Sequence, residues 1–390
     1  MKSFEVLDRK IGNGAPCYII AELSCNHEGD INEAKAIIRA ASEAGCDAVK
    51  IQTYTAETMT RDFKNSASGT IWNDVDLFDL YKKASTPWEW HTELSREAEK
   101  NGLHFFSSPF DETAVDFLES MNVPLYKVAS FEIVDVKLLQ KIAKTGKPII
   151  LSTGMSNYHE IYSAVTVLRD SGVKDYAVLQ CNSGYPGNFS DANLATIPAI
   201  KELFNCVVGL SDHIIFEDAD IEHCHNAFPS VTPIEAVKLG AKIIEVHLTL
   251  DRDKARQLMK KNAGGFDWPF SRTPDELAKM IASIRNIERG EIHHYSTDTE
   301  KRLAKKAIGE VCFEPTEKEL ASRNLRPTLW IVDDIKQGEL FKFCGGKPGN
   351  IDSIRPGGGL AIHYADYIEG KKAKCDLKSG QPLSWDMVSL

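Results

Sequence analysis

The stretch Lys242-Ile243-Ile244-Glu245-Val246-His247-Leu248-Thr249-Leu250 decides the fold. It is a short, apolar, β-rich run that turns polar at its end, as a buried parallel strand does. A histidine stands near that end. The run Val207-Val208-Gly209-Leu210-Ser211-Asp212-His213 has the same design. Working outward, six further runs at 17–23, 48–54, 104–109, 125–130, 148–154 and 177–183 bring the total to eight. Segments with apolar residues three and four apart lie between most of them, at 31–45, 138–146, 161–172, 195–204 and 233–240, with 275–289 closing the series. Alternating strand and helix implies a parallel sheet. Eight such units predict a (β/α)8 TIM barrel, whose strand ends converge on one mouth where chemistry is built. No G-x-G-x-x-G follows the first run, which removes the main support for a dinucleotide-binding sheet.

The bulk numbers exclude some function classes. The chain has 390 residues, 43% hydrophobic, with a formal net charge of −10. An acidic protein has no general electrostatic reason to bind nucleic acid or an anionic membrane, so an anionic substrate must be met by local cations. No apolar run approaches the ~20 residues of a membrane span, and the first residues lack a signal-peptide core. Nine cysteines, an odd count without a C-x-x-C pair, point to reduced thiols and a cytoplasmic protein. Residues 1–290 are expected to form the barrel, 291–325 a charged, helix-prone linker, and 326–390 a small β-rich, turn-rich unit. That last unit is near the lower limit for folding alone and is expected to lean on the barrel or a partner. Long connections at 55–85 and 214–232 fall on the mouth side. The second holds Glu222-His223-Cys224-His225, more simply a polar turn than a second metal site.

The strand ends carry a coherent set of groups. His213 and His247 could hold one divalent metal, although either alone could simply cap a strand and bond to a loop. Lys50 and Lys127 interrupt apolar runs, and a buried ammonium needs a partner. Each could pair with an acidic residue. Together with Ser108, Ser130, Ser183 and Ser211 they also suit a phosphate or carboxylate. A lysine Schiff base is the other chemistry open to them, but a metal on the two histidines would already supply that activation. Glu22, Gln52, Tyr185 and Asp267 complete the inventory.

These residues resemble the sialic acid synthases, which condense phosphoenolpyruvate with an amino sugar to make a nonulosonic acid. The resemblance lies in Ile20-Ala21-Glu22-Leu23-Ser24-Cys25-Asn26-His27, Val49-Lys50-Ile51-Gln52, Tyr126-Lys127-Val128-Ala129-Ser130, Leu151-Ser152-Thr153-Gly154-Met155, Gly209-Leu210-Ser211-Asp212-His213 and Ile244-Glu245-Val246-His247. The end of the chain is similar to the family's antifreeze-like (SAF) domain, through Ser353-Ile354-Arg355-Pro356-Gly357-Gly358-Gly359-Leu360 and Gly370-Lys371-Lys372-Ala373. Stretches such as Gln52-Thr53-Tyr54-Thr55, Trp88-Glu89-Trp90-His91 and Ser107-Ser108-Pro109-Phe110 most resemble the synthases of pseudaminic acid.

The resemblance implies that His213 and His247 ligate Mn²⁺, Mg²⁺ or Co²⁺. It implies that Lys50, Ser108, Lys127, Ser130, Ser183 and Ser211 hold phosphoenolpyruvate, and that Glu22, Gln52, Tyr185 and Asp267 face the sugar. Glu22, Lys50, Lys127, His213 and His247 would carry the catalysis. Arg355 would reach the sugar's N-acyl group from the partner's SAF domain, in a domain-swapped homodimer. Ser183 departs from the asparagine of the sialate enzymes. Extra residues at 214–232 and 254–262, and Gly-Phe-Asp at Gly265-Phe266-Asp267 where the family has Gly-Pro-Asp, border the sugar site. They leave open a different acceptor, such as that of N-acetylneuraminate, legionaminate or another 3-deoxy-sugar acid. A catalytically silent sugar-binding protein is the reading from another class.

Overall fold

The computed structural model describes residues 2–66, 75–215 and 228–389. Eight parallel strands form its centre: β1 (Tyr18–Glu22), β2 (Ala48–Thr53), β3 (His104–Pro109), β4 (Tyr126–Val128), β5 (Ile149–Ser152), β6 (Tyr176–Cys181), β7 (Val207–Asp212) and β8 (Ile243–Leu248). Each pairs with the next, and β8 pairs with both β7 and β1, so the sheet closes into the expected barrel. Eight helices cover it: α1 (Ile31–Ala44), α2 (His91–Lys100), α3 (Glu112–Ser120), α4 (Val136–Ala143), α5 (Tyr158–Asp170), α6 (Thr196–Phe204), α7 (Val231–Lys238) and α8 (Pro274–Glu288).

The two-residue period of the strands sorts their side chains. Ile19, Ala21, Val49, Ile51, Val208, Leu210, Ile244 and Val246 point outward into the layer beneath the helices. Tyr18, Ile20, Ala48, Phe106, Leu125, Ile150, Leu179, Val207 and Ile243 point inward and fill the lower barrel. A hairpin of Ser3–Val6 with Arg9–Gly12 plugs the bottom through Phe4, Val6 and Ile11. Two residues further along the same inward faces the character changes to Lys50, Ser108, Lys127, Ser152 and Glu245, and four residues beyond Val207 to Ser211. The polar site thus stands on an apolar base. Register aligns it laterally: His247 lies opposite Glu22, Glu22 opposite Lys50, and Glu245 opposite Ser211.

Several elements differ from the sequence expectation. Residues 129–130, 153–154 and 182–183 lie beyond their strands, because the strand ends open into site loops. Helices α2 and α3 form where no helix was marked. The added residues 254–262 belong to a helix, Arg252–Lys260, whose N-cap Asp251 accepts from the Lys254 N–H. The stretch expected to be a linker instead packs onto the barrel. Its helix α9 (Asp298–Ile308) puts Leu303, Ala304 and Ala307 into the outer barrel core, and a second helix, α10 (Glu317–Arg323), follows.

The C-terminal region has short antiparallel pairs, Thr328–Ile331 with Ile351–Ile354 and Lys372–Ala373 with Val388–Ser389, around its own core of Leu329, Phe341, Ile351 and Ile368. Leu340 and Lys372 add a single antiparallel bridge. All eight described cysteines are free thiols. Among the described residues no helix is long and apolar enough to cross a membrane. The Glu222-His223-Cys224-His225 cluster lies outside the described residues.

Candidate active site

The inward residues above the apolar base line one cavity at the C-terminal ends of the strands. At its floor, Glu245 lies between two ammonium groups, with Oε1 3.6 Å from Lys50 Nζ and 3.7 Å from Lys127 Nζ, and accepts from Ser211 Oγ at 3.0 Å. Lys50 also pairs with Glu22 and donates to Ser108 Oγ at 3.2 Å, while Lys127 donates to Ser152 Oγ at 2.6 Å. Burial pushes Glu245 up, but the two lysines outweigh it and hold its carboxyl at about 2. Burial pushes both ammonium groups down. At Lys50 the carboxylates of Glu22 and Glu245 reverse this and raise it. Lys127 has only Glu245 close by, and it stays below its usual range. Lys127 is therefore the ammonium that an incoming anion would stabilise most.

One wall carries the histidines. The rings of His213 and His247 are 5.1 Å apart and nearly perpendicular, with Phe270 packed against both. His213 Nδ1 lies 3.1 Å from the Asn182 carbonyl, and burial pushes its imidazole below the usual range toward the neutral form. An Nδ1–H donated to that carbonyl leaves the Nε2 lone pair free to bind a metal. His247 Nδ1 is 3.0 Å from Asp267 Oδ2 but lacks the alignment of a hydrogen bond, so it remains a buried nitrogen without a hydrogen-bond partner. Among the described residues no three His, Cys, Asp or Glu side chains converge into a closed metal cage. The cavity groups do suit a divalent cation. Two buried imidazoles share one wall, and the carboxylates of Glu245 and Asp267 line the same cavity. Two protein ligands would leave positions open for water and substrate, as catalytic sites require.

The mouth is apolar and aromatic. Tyr54, Met59, Leu77, Leu80, Tyr81, Phe110, Phe131, Phe266 and Leu325 surround it. Phe131 stacks on Tyr185, whose ring lies 4.6 Å from that of His213. The C-terminal region closes one side: the Arg355 N–H donates to the Met59 carbonyl at 2.9 Å. Its guanidinium sits over Phe131, donates to Tyr81 Oη at 3.0 Å and pairs with the buried Glu132. The chain's own C-terminal region brings Arg355 to the cavity; the resemblance implied that the same residue is delivered by a partner's SAF domain.

Most of the expected site residues meet here. Lys50, Gln52, Ser108, Lys127, Ser130, Tyr185, Ser211, His213, His247, Asp267 and Arg355 all line the cavity. Glu22 and Ser183 do not. Glu22 lies under Lys50 and accepts from the Ser24 N–H at 2.7 Å, so it holds a lysine where it was expected to face the sugar. Ser183 Oγ lies behind the cavity against Gly154, where a Cβ on that glycine would come within 2.0 Å of it. Sequence reasoning missed Glu245 and Glu132. The first was findable, since it stands two residues before His247 on the same inward face. Glu132 lies in a 3₁₀ turn after β4 (Glu132–Val134), where no periodicity marks it.

The model of the NeuB family matches residues 37–293, and that of the SAF domain matches residues 326–389. The pseudaminic acid synthase of Helicobacter pylori is 37% identical over 96% of this chain and 98% of its own. An N,N'-diacetyllegionaminic acid synthase of Campylobacter jejuni is 33% identical over 93% of this chain and 97% of its own. The crystal structure of a spore coat polysaccharide biosynthesis protein from Bacillus subtilis superposes with a TM-score of 0.79 at 29% identity, covering 100% of this chain and 99% of that one.

Proposed function

The chain belongs to the NeuB family and is a nonulosonic acid synthase of that family, and from this premise we propose that it makes pseudaminic acid, joining phosphoenolpyruvate to an open-chain 2,4-diacetamido-2,4,6-trideoxyhexose. The observation that carries the choice of acceptor is the apolar mouth. Leu77, Leu80, Phe110 and Phe266 offer surface to methyl and acetamido groups and few partners for hydroxyls. This suits a deoxy diacetamido sugar better than N-acetylmannosamine. The similarity to the Helicobacter pylori enzyme supports it over the legionaminate acceptor.

In the reaction, C3 of phosphoenolpyruvate attacks the sugar's aldehyde carbon, water adds at C2, and the resulting tetrahedral intermediate expels phosphate by C–O cleavage. Lys50 and Lys127, with Ser108, Ser130 and Ser211, hold the phosphate and carboxylate. Glu22 and Glu245 fix the two ammonium groups in place. They also neutralise much of the positive charge, so lysines alone are a weak trap for a trianion. His213 and His247 are the residues that would hold Mn²⁺ or a similar ion, which supplies Lewis-acid polarisation of the aldehyde oxygen when bound. Asp267, Gln52, Tyr185 and Arg355 contact the sugar. The contacts that Arg355 makes within one chain would, between two chains, give a domain-swapped homodimer.

The test is mass spectrometry of the product formed from phosphoenolpyruvate with each acceptor in turn. A nonulosonate formed from the trideoxy diacetamido sugar of pseudaminic acid synthesis, in preference to N-acetylmannosamine and to the legionaminate precursor, is expected. Preference for either of the others overturns the assignment of the acceptor.

A further inference from the structure

The segment expected to be a tether contains a buried carboxylate that does not belong to the cavity lining. Glu319, on α10, is only 3% exposed. Its Oε2 accepts from the backbone N–H and the hydroxyl of Thr316, at 2.9 and 3.0 Å, closing a capping box on its own helix. Its Oε1 points away from the helix and accepts two backbone N–H groups, that of Met155 at 2.6 Å and that of Ser183 at 2.8 Å. These amides come from two different strand-end loops, after β5 and β6. Arg323 on α10 and Arg326, just beyond the segment, hold the other side of the first loop. Arg323 Nη1 and Arg326 Nη2 donate to the Met155 carbonyl at 2.9 and 3.1 Å, and both arginines pair with Glu160 on α5. Both polar groups of the Met155 backbone are thus bonded to the segment, and its backbone is held at a φ of +52°, unfavourable for a side chain of that size.

What this clamp touches is the end of the cavity assigned to the phosphoenolpyruvate anion. Gly154, next to Met155, donates its N–H to Ser130 Oγ at 3.1 Å. Ser152, two residues before Gly154, receives the Lys127 ammonium. We propose that Glu319 is a positioning residue for the phosphoenolpyruvate subsite. By tying the Met155 and Ser183 amides together it fixes the Ser152–Gly154 turn against Ser130 and Lys127. The affinity for phosphoenolpyruvate then depends on α10, while the amino-sugar end of the cavity does not. This rests on the assignment of that end of the cavity to phosphoenolpyruvate.

The experiment uses the full chain with Mn²⁺ and measures phosphoenolpyruvate binding by calorimetry, hydrogen exchange at the Met155 and Ser183 amides, and KM for the amino sugar. Glu319→Ala is expected to speed exchange at both amides and weaken phosphoenolpyruvate binding about tenfold, the scale of losing a buried acceptor. KM for the sugar should stay within about twofold, a change too small to count as lost binding. Glu319→Gln, which keeps one oxygen for the two amides, is expected to recover most of the binding. If Glu319→Ala does not fold, Arg323→Met carries the test, with a smaller expected loss of about threefold from the same loop. Unchanged phosphoenolpyruvate affinity in a folded variant whose amides exchange faster, or equal losses for both substrates, overturns the proposal. A wild-type chain that does not bind phosphoenolpyruvate would instead overturn the assignment of the subsite.

Discussion

The floor and the mouth of the cavity are built by opposite means. The floor is charged, and its partners are fixed by strand register: Lys50, Lys127, Glu22 and Glu245 all stand on strands of the barrel, inside hydrogen-bonded ladders. The mouth is mostly apolar, and it is assembled from loops, short helices and the C-terminal region, with Arg355 and Glu132 paired among the rings. A charged pair needs fixed geometry, because a buried charge that loses its partner is costly. Apolar contact is tolerant of shape, so the mouth can be varied without undoing the floor. A conserved reaction with a changeable acceptor is what such a division allows.

The largest loss on substitution is expected at the floor. Glu245→Gln takes the shared carboxylate from two buried ammonium groups, and a loss of about 3–5 kcal/mol in urea unfolding is expected. Glu245 also sets a pH dependence. Its folded pKa of about 2 lies below the ordinary 4.5, so its contribution is complete above the ordinary value and is lost as the pH falls toward 2. Unfolding curves measured across that range should show it, and the Gln variant should flatten them.

At the mouth, Phe266→Ala is expected to lower kcat/KM for the acceptor by about 10- to 100-fold, on the order of 1–3 kcal/mol of lost apolar contact. KM for phosphoenolpyruvate should not move. An equal rise in both KM values would show that floor and mouth are not separate.

The floor should also respond to alkali. Burial depresses the Lys127 ammonium in the free chain, and a bound anion pushes it back up. Phosphoenolpyruvate affinity should therefore fall as pH rises from the depressed value, by up to about tenfold per pH unit. Calorimetry in buffers of different ionisation enthalpy should show proton uptake on binding. The smallest effect is expected at Gln52, whose Nε2 donates to Ser24 Oγ at 3.1 Å. Gln52→Ala should cost about 1 kcal/mol, a severalfold rise in KM for the sugar alone.

How much of this was legible in the sequence follows from the range of the forces involved. The eight strands were readable because a buried parallel strand declares itself in a short run of consecutive apolar residues. His213, His247, Lys50 and Lys127 were readable because a polar residue at the end of an apolar run is a local anomaly. Helices α2 and α3 were not marked, since their apolar faces are thin. Helix α2 buries only His91, Leu94 and Ala98. The stretch 291–325 reads as a tether because 13 of its 35 residues are charged and its apolar residues are scattered. Three small or apolar side chains on α9 were enough to seat it on the barrel.

The alternation of strand and helix, the layer of polar residues at the strand ends and the two-part division of the chain are each encoded in neighbouring residues, and so are legible without coordinates. Which charged groups pair is fixed by the folded chain. Glu22 serves Lys50 and stays out of the cavity, Glu245 serves two lysines at once, and Glu319 reaches amides 136 and 164 residues away. A buried charge takes whichever partner the closed barrel brings within about 4 Å, and that distance is set by packing across the fold, with no trace in the local run of residues.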